Sequence, residues 1–447
     1  MFELKRGRRN RCRALLAGLA LVLAGSTSAL AEVTVLGWPG GPEETALRAT
    51  AKAYNERSGL AEADKVKLIF FNREGFWDKL QADLAAGSTE FDLNLVATYS
   101  LGKYAPFMQP VDLPADSAKV FGEKVLKTMQ FDGKQYGVPT DLSLHFMYVR
   151  KDLMEKLLAD DGWKKTYGEI AQKYLGKPLQ PVKPEEWTWD DYAATALFFT
   201  KSINRASPTR YGTVLQMKNL LFNMMVFQTM ARSYGADWQD ATGKITVDSP
   251  AYRTSLELYK KLYDAGASPK DSLSYEYAEA NAAFGAGQVA TMLQWNAAAA
   301  DLDNPAKNAV VAGKIDTLAP PKGPEGRTTH IHGLGFGLNK ASTHKEGAVK
   351  FLNWLAGAEA MKIYAEAGGS PALDNSLTAA LPKRPDLAKI GDFAGQYGFV
   401  MTGGTSAGAL QVYETQAKNF TGYWAGQTDL DAALKETAAK MQELLKK

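Results

Sequence analysis

The segment "VTVLGWPGGPEETALRATAKAYNERSG" (residues 33–59) joins a short apolar strand to a helix with clear start and stop signals. Residues 33–37 form a short, mostly apolar run, which is typical of a buried strand. Pro42 suits the first helical turn, where its missing N–H costs nothing, and Gly59 suits the end of the helix. The segment therefore predicts one strand followed by one helix.

The same pattern recurs immediately afterwards. The apolar run "KVKLIFF" (65–71) precedes "NREGFWDKLQADLAAG" (72–87), which is typical of a helix ending at Gly87, and a third strand is predicted over Leu93 to Ala97. Strands that alternate with helices at this spacing predict right-handed β-α-β units and a parallel sheet covered by helices. The fold class is therefore α/β.

Residues 1–31 have the features of a secretory signal peptide. A basic start precedes an apolar run from Ala14 to Ala24, which is too short to span a bilayer, and the segment ends in Ala29-Leu30-Ala31. Cleavage there would make Glu32 the first mature residue and would remove Cys12, the single cysteine of the chain. We therefore expect an exported, periplasmic protein without disulfides or thiolate chemistry.

Composition excludes several other classes. Loss of the signal leaves 46 basic and 48 acidic residues, a net charge of about −2, so the basic charge of the full chain gives no argument for nucleic acid. No later segment approaches 20 uninterrupted apolar residues, so no membrane insertion is expected. With 447 residues the chain is long enough for two well-buried domains.

Motifs for catalysis or metal binding are scarce. His330-x-His332 could present two imidazoles to a metal, but two ligands do not make a site, and we predict no metal and no cofactor. No nucleophile elbow, phosphate-binding loop or zinc-protease motif is present. Adjacent acids such as Asp190-Asp191 lie at predicted helix starts, where they interact with the helix dipole more often than they form a glycosidase pair. We therefore predict that the protein is not an enzyme.

Aromatic and polar side chains follow the predicted strands. In an open α/β sheet, ligands bind beyond the carboxyl ends of the strands, so residues at these ends should share one rim. Flat aromatic faces suit the C–H faces of sugar rings, while amides and charged groups suit hydroxyls. Taken singly, each has an equally simple explanation as a loop tryptophan or a turn asparagine. The rim candidates are Trp38, Asn72, Arg73, Thr98 and Tyr99.

A further strand end carries the same signature. In "GQVATMLQWNAAAADL" (287–302), an apolar run ends in Gln294, Trp295 and Asn296 before four alanines begin a helix. One interpretation is a core strand with an interfacial tryptophan. The other is a stacking platform, with the two amides as partners of sugar hydroxyls.

Six segments in order give the chain a resemblance to a known family. It resembles the extracellular solute-binding proteins of ABC transporters, in the carbohydrate-binding group that includes maltose-binding protein. The resemblance covers essentially the whole mature chain. It is carried by "EFDLNLVATYSLGKYAPFMQPVDL", "GKQYGVPTDLSLHFMYVRKDLMEK", "TWDDYAATALFF", "NAAFGAGQVATMLQWNAA", "GLGFGLNKASTHKEGAVKFLNWLAGAEAMKIYAEAGGSPAL" and "YWAGQTDLDAALKETAAKMQELL".

The resemblance implies a two-lobed periplasmic-binding-protein fold of type II. Each lobe would be a mixed sheet flanked by helices, with a hinge of crossing segments and the ligand enclosed by lobe closure. By this analogy, residues 32–142 plus 314–357 form the first lobe, and residues 143–313 plus 358–447 form the second.

The resemblance also implies which positions reach the ligand. The loop after the first strand corresponds to Trp38 to Gly41, and the loop after the second to Asn72-Arg73. Trp295 corresponds to the stacking aromatic of the family, and Asp141 to a carboxylate that accepts sugar hydroxyls. The remaining candidates are Gly40, Gly41, His145, Asn219, Asn223, His332, Gly333, Gly369 and Ser370.

One stretch departs from maltose-binding protein. That protein has an acidic residue and several aromatics where this chain has "QMKNLLFNMMVF" (216–227). Fewer rings favour a small oligosaccharide, disaccharide, polyol or decorated monosaccharide over long maltodextrins.

We expect a monomeric periplasmic binding component that captures a carbohydrate and delivers it to the membrane permease of an ABC importer. An amino acid or anion as ligand, or a secreted carbohydrate-active enzyme, are the alternatives.

Overall fold

The first strand-helix-strand-helix-strand segment forms as the sequence predicts. The computed structural model describes residues 32–72, 75–379 and 381–445, and the predicted signal peptide lies outside them. The strands are β1 (Val33–Gly37), β2 (Val66–Phe70), β3 (Leu93–Ala97), β4 (Met108–Gln109), β5 (Gln130–Phe131), β6 (Lys134–Gln135), β7 (Val138–Ser143), β8 (His145–Arg150), β9 (Tyr211–Val214), β10 (Val289–Trp295), β11 (Ile315–Leu318), β12 (Thr329–His330), β13 (His332–Asn339) and β14 (Gly398–Phe399).

Helices surround these strands, and several start where the sequence signals place them. Pro42 lies in the first turn of the first helix, and Thr188 and Asp191 form a reciprocal capping box. The helices are α1 (Gly41–Asn55), α2 (Phe76–Ala85), α3 (Leu101–Tyr104), α4 (Ser117–Phe121), α5 (Glu123–Lys127), α6 (Lys151–Ala159), α7 (Asp161–Leu175), α8 (Trp189–Phe198), α9 (Leu221–Ser233), α10 (Pro250–Asp264), α11 (Tyr277–Gly285), α12 (Ala299–Leu302), α13 (Lys345–Leu355), α14 (Ala358–Glu366), α15 (Asn375–Thr378), α16 (Pro385–Tyr397), α17 (Ala409–Trp424) and α18 (Leu430–Leu444).

The larger sheet has six strands. Its order is β2-β1-β3-β13-β4, with β7 also paired to β13. β1 is parallel to β2 and β3, as predicted, while β13 runs antiparallel to β3 and makes the sheet mixed. The carboxyl ends of β1 and β3 therefore meet the beginning of β13 at one edge.

The smaller sheet has the order β11-β8-β10-β9. β10 is antiparallel to β8 and parallel to β9, and its register places Trp295 opposite His145. The seven residues of β10 are all buried, which explains its continuous apolar run.

Two chain segments cross between the sheets near the same point. β7 of the larger sheet continues through Leu144 directly into β8 of the smaller sheet. The second crossing lies between β11, in the smaller sheet, and β13, in the larger one. Asn296 joins the first crossing, because its side-chain oxygen accepts from the Leu144 N–H (3.0 Å) and its amide donates to the Leu142 carbonyl (3.2 Å).

The predicted lobe boundaries stay a prediction, and two of their segments need correction. β11 was expected with the first lobe but pairs with β8 of the smaller sheet. Helix α14 was expected with the second lobe but packs against α1 and α13, beside the larger sheet. Both segments depend on long-range packing that local sequence patterns do not encode.

Within the residues described, no helix is both long enough and apolar enough to cross a membrane.

Candidate functional site

A continuous series of aromatic rings runs from the larger sheet to the smaller one. Trp38, after β1, lies 5.6 Å between ring centroids from Trp77, which lies 5.7 Å from Tyr99, after β3. Tyr99 lies 5.3 Å from His332, at the start of β13, and His332 lies 5.1 Å from Trp295, at the end of β10. Four of the predicted site residues are therefore neighbours at the strand ends, on both sides of the cleft.

The cleft is closed in this structure. Trp295 is 8% exposed and Tyr99 only 1%. Phe222 of α9 reaches across from the side of the smaller sheet and contacts the Tyr99 ring at 6.2 Å. A ligand could reach these rings only after the two sides have moved apart.

Trp295 is held firmly in its place. Its indole contacts the rings of His145 (4.1 Å between centroids) and His332 (5.1 Å). Its backbone carbonyl accepts a hydrogen bond from the Tyr148 hydroxyl (2.8 Å). A ring fixed in this way loses little conformational freedom when a ligand stacks on it, which favours binding.

Asp141 lies in the floor of the cleft on the side of the larger sheet. Its carboxylate accepts hydrogen bonds from the Tyr364 hydroxyl and from the Ser370 N–H (2.7 Å). Burial and the nearby Glu43 raise the pKa of Asp141 to about 7, against the opposing effects of Tyr364, Ser370 and Arg384. The backbone N–H of Ser370, a predicted ligand contact, is therefore engaged by the carboxylate that was expected to bind the sugar.

A small cavity opens beside this carboxyl group. Trp38, Glu43, Glu44 and Asp141 are among its lining residues. The Glu44 carboxylate accepts from the Gly40 N–H (2.5 Å) and from Arg48 (2.7 Å), and these bonds lower the pKa of Glu44. The cavity, lined on the side of the larger sheet, thus combines an aromatic side chain with carboxylate acceptors, which suits a ligand rich in hydroxyl groups.

The two amides beside Trp295 have partners within the protein. The Gln294 amide donates to Asn281 (2.8 Å) and to the Tyr277 carbonyl, and its oxygen accepts from Gln216 (3.1 Å). Asn296 fastens the crossing segment. The predicted hydrogen bonds of both amides to sugar hydroxyls compete with these bonds, and neither residue forms part of the site we propose below.

Other predicted residues also have structural roles. The Thr98 hydroxyl accepts from the Gly333 N–H (2.8 Å) and donates to the Thr128 carbonyl (3.0 Å), so Thr98 and Gly333 fix the start of β13. The Asn223 amide donates to the Tyr275 carbonyl (2.9 Å), and its oxygen is buried without a partner. Gly369 leaves room for the Tyr364 ring, which an added Cβ would approach to 2.1 Å.

Four predicted positions among the described residues lie outside the aromatic series: Gly40, Gly41, Asn72 and Asn219. Asn72 and Asn219 are exposed, and Arg73 lies outside the described residues. Gly40 has a φ of +83°, which favours glycine, and precedes Gly41, the first residue of α1. Their contact with a ligand stays a prediction.

The histidines do not form a metal centre in the part of the chain that the structure covers, where no group of three or more potential ligands is arranged to hold an ion. His145 and His330 instead bond to Thr229 and Tyr413. Burial lowers the pKa of both rings and lowers that of His332 to about 3, so all three are neutral at pH 7.

Sequence reasoning missed Trp77 and Phe222. Trp77 lies in the first turn of α2, the helix that follows β2, and Phe222 lies in the first turn of α9. Both positions follow predicted rim residues, and an aromatic side chain in the first helical turn after a strand end was the available signal.

The chain belongs to the family of bacterial extracellular solute-binding proteins, which matches residues 40–362. A putative binding protein of Brucella abortus (strain 2308) is 24% identical over 450 residues, covering 97% of this chain and 98% of that protein. A probable amino-acid ABC transporter periplasmic-binding protein of Sinorhizobium fredii is 24% identical over 363 residues, covering 77% of this chain and 72% of the relative.

Solved structures share the fold over nearly the whole chain. Maltose-bound MalE3 of T. maritima has a TM-score of 0.74 at 22% identity, covering 93% of this chain and 100% of that one. An ABC transporter solute-binding protein of Thermotoga lettingae, bound with α-D-tagatose, has a TM-score of 0.73 at 16% identity, with coverage of 93% and 100%. The predicted α/β, two-lobed type II periplasmic-binding fold is confirmed.

Proposed function

We propose that this protein is the carbohydrate-binding component of an ABC importer, which captures a small sugar or polyol in its cleft and delivers it to a membrane permease. The observation that carries the proposal is the aromatic series from Trp38 to Trp295, which continues across both sides of the cleft. Aromatic faces on both sides can enclose a ring or polyol chain that is apolar on its faces and polar at its edges.

Polar groups complete the proposed site. Asp141 and Glu43 lie at one end of the series, and the His332 ring lies in its middle. The Nδ1 atom of His332 is buried without a hydrogen-bond partner, so a ligand hydroxyl could bond to it. We propose Trp38, Trp77, Tyr99, Asp141, His332 and Trp295 as ligand contacts.

Lobe closure supplies the proposed mechanism. Contacts that reach the ligand from both sides exist only in the closed form, so ligand binding shifts the population toward closure. The protein performs no chemistry on the ligand in this proposal. Export to the periplasm, a monomeric state and the absence of nucleic-acid partners belong to the same proposal.

A thermal-shift screen of residues 32–447 tests the proposal. The panel contains maltose, D-tagatose, mannitol, ribitol, sugar acids and amino acids, each at about 1 mM, where general stabilisation by osmolytes is small. A ligand at about 100 times its dissociation constant adds about 2.7 kcal/mol to the free energy of unfolding and should raise the melting temperature by several degrees.

A shift with a sugar or polyol supports the proposal. Shifts with amino acids alone would overturn its ligand class and would agree with the name of the Sinorhizobium fredii relative. Turnover of a glycoside by the purified protein would overturn the assignment as a binding protein.

A further inference from the structure

Three buried histidines lie together where the chain crosses between the sheets. His145 begins β8 directly after the first crossing, and His330 and His332 lie in β12 and β13 at the second. The ring centroids are 6.3 Å apart for His145 and His330, and 6.1 Å for His330 and His332. The three residues, here named the histidine cluster, are at most 4% exposed.

Each ring of the histidine cluster has one buried nitrogen without a hydrogen-bond partner. These atoms are Nε2 of His145 and Nδ1 of both His330 and His332. The unpartnered atoms have no obvious use in holding the fold, since each leaves hydrogen-bonding capacity unused in the interior.

The bonded nitrogens suit neutral rings. The Thr229 hydroxyl oxygen accepts from the backbone N–H of His330 (3.0 Å) and lies 2.7 Å from Nδ1 of His145, to which it can donate. The Tyr413 hydroxyl lies 2.6 Å from Nε2 of His330 and can donate to it. A protonated imidazole donates from both nitrogens, so protonation of His145 or His330 would require the Thr229 or Tyr413 hydroxyl to turn and accept instead of donating.

Within the described part of the chain, no hydrogen bond or ion pair joins a carboxylate to the three rings; Asp141 of β7 lies opposite Leu334, two residues from His332 in the strand register. The groups that face the rings are Trp295 from β10, Tyr99 from the turn after β3, Thr229 from α9 and Tyr413 from α17. His330 also contacts Phe399 of β14. Arg232, which pairs with Asp237, lies over the Phe399 ring, 5.8 Å from its centroid.

We propose that proton uptake by the histidine cluster, first at His332, opens the cleft and releases the ligand in acid; this inference rests on the proposed function. His332 comes first because its contact with Trp295 joins the two sides of the cleft, so separation of the sides admits water to its ring. His145 contacts the same indole and takes up a proton after His332.

The sign of the effect follows from the charge states. In the closed form, burial keeps the pKa of His332 at about 3, whereas a hydrated imidazole has its ordinary value of about 6.5. Below about pH 6.5 the open form therefore binds a proton that the closed form does not. For each such ring, the ratio of open to closed protein should rise about tenfold per pH unit. Above pH 7 the effect disappears.

Small-angle X-ray scattering of residues 32–447 without ligand tests the inference. The radius of gyration is measured at about pH 7.5 and about pH 5, with far-ultraviolet circular dichroism to confirm that the chain stays folded. The wild-type radius should increase in acid. His332→Asn, which cannot titrate, should lose most of the increase.

His344→Asn is the matched control, because His344 immediately precedes α13, beside Asp92 and outside the cluster. It should keep the wild-type increase. An equal wild-type radius at both pH values, or an unchanged increase in His332→Asn, would overturn the inference. If His332→Asn does not fold, the ring signal of His332 followed by NMR in the wild type replaces it. Titration of that ring without a change in radius would then overturn the inference.

The scattering experiment contains no sugar, so its outcome is separate from that of the ligand screen. A silent sugar panel counts against the proposed function, whereas a radius independent of pH counts against the histidine cluster.

Discussion

The indole of Trp295 contacts His145 and His332 and still leaves 8% of the residue exposed at the cleft. The sequence showed only that a buried strand ends in an aromatic residue. In the fold, this ring is the part of the smaller sheet that meets the aromatic groups of the larger one.

Replacing Trp295 with alanine should weaken binding of the sugar or polyol found in the screen by about 2 kcal/mol or more, which is typical of a buried aromatic anchor. Isothermal titration calorimetry measures the change. Trp354→Ala is the matched control, because Trp354 is 9% exposed but packs on Tyr54 of α1, beside the larger sheet. Both variants should melt at lower temperature, since both create cavities. Equal affinities in the wild type and Trp295→Ala would remove Trp295 from the site.

Asp141 gives the protein a second property that can be measured. Its folded pKa of about 7 lies above the ordinary value of 3.8, so the folded chain keeps a proton that the unfolded chain loses. The contribution of Asp141 to the free energy of unfolding should therefore fall as the pH rises from about 4 to about 7.

Asp141→Asn removes this titration and can still accept from the Ser370 N–H. Relative to wild type, the variant should gain stability as the pH rises from 5 to 8, by about 2.5 kcal/mol. Urea unfolding at both pH values measures the difference. The exposed Asp112 supplies the control, and Asp112→Asn should follow the wild-type curve. A parallel pH profile for Asp141→Asn would contradict the burial of a protonated carboxyl.

Two glycines, Gly212 and Gly395, differ in how closely neighbouring atoms approach them. Gly212 in β9 lies so near α8 that an added Cβ would be 1.6 Å from the Ala196 carbonyl oxygen. Gly395 in α16 is exposed, with no atom within 4 Å of an added Cβ. Replacing each glycine with alanine therefore compares a tightly packed position with an open one, and the difference in stability measures how closely β9 packs on α8.

Gly212→Ala should destabilise the fold by about 3 kcal/mol or more, because backbone atoms of α8 or β9 must move. Gly395→Ala should stabilise it by about 0.5–1 kcal/mol, since alanine favours the helix. Chemical denaturation followed by tryptophan fluorescence gives both values. Similar effects in the two variants would show that β9 and α8 are not packed as described.

The molecule as a whole is organised by two sheets that the chain crosses near one point. The Asn296 side chain bonds to the crossing at Leu142 and Leu144, next to the Trp295 ring, and the histidine cluster lies on both crossings. The proposed ligand contact Trp295 and the residue that bonds to the first crossing, Asn296, are therefore adjacent in the chain. This proximity is the physical basis for expecting that proton uptake at the cluster and closure of the cleft affect one another.

The sequence by itself determined the elements and the strand ends. The strand-helix alternation over residues 33–97, Pro42, the Thr188–Asp191 capping box and the run that ends in Trp295 were all readable, because caps and periodicity depend on near neighbours. Resemblance to the family added the two lobes and the position of Asp141.

Only the tertiary structure decided which partner each polar group meets. Gln294 bonds to Gln216 and Asn281, and His332 contacts Tyr99. Each of these partners belongs to a different segment of the chain. The same holds for β11 and α14, which pack against unexpected neighbours. A buried amide or imidazole bonds to whatever the fold places beside it, and that choice is made by packing between distant segments rather than by local sequence.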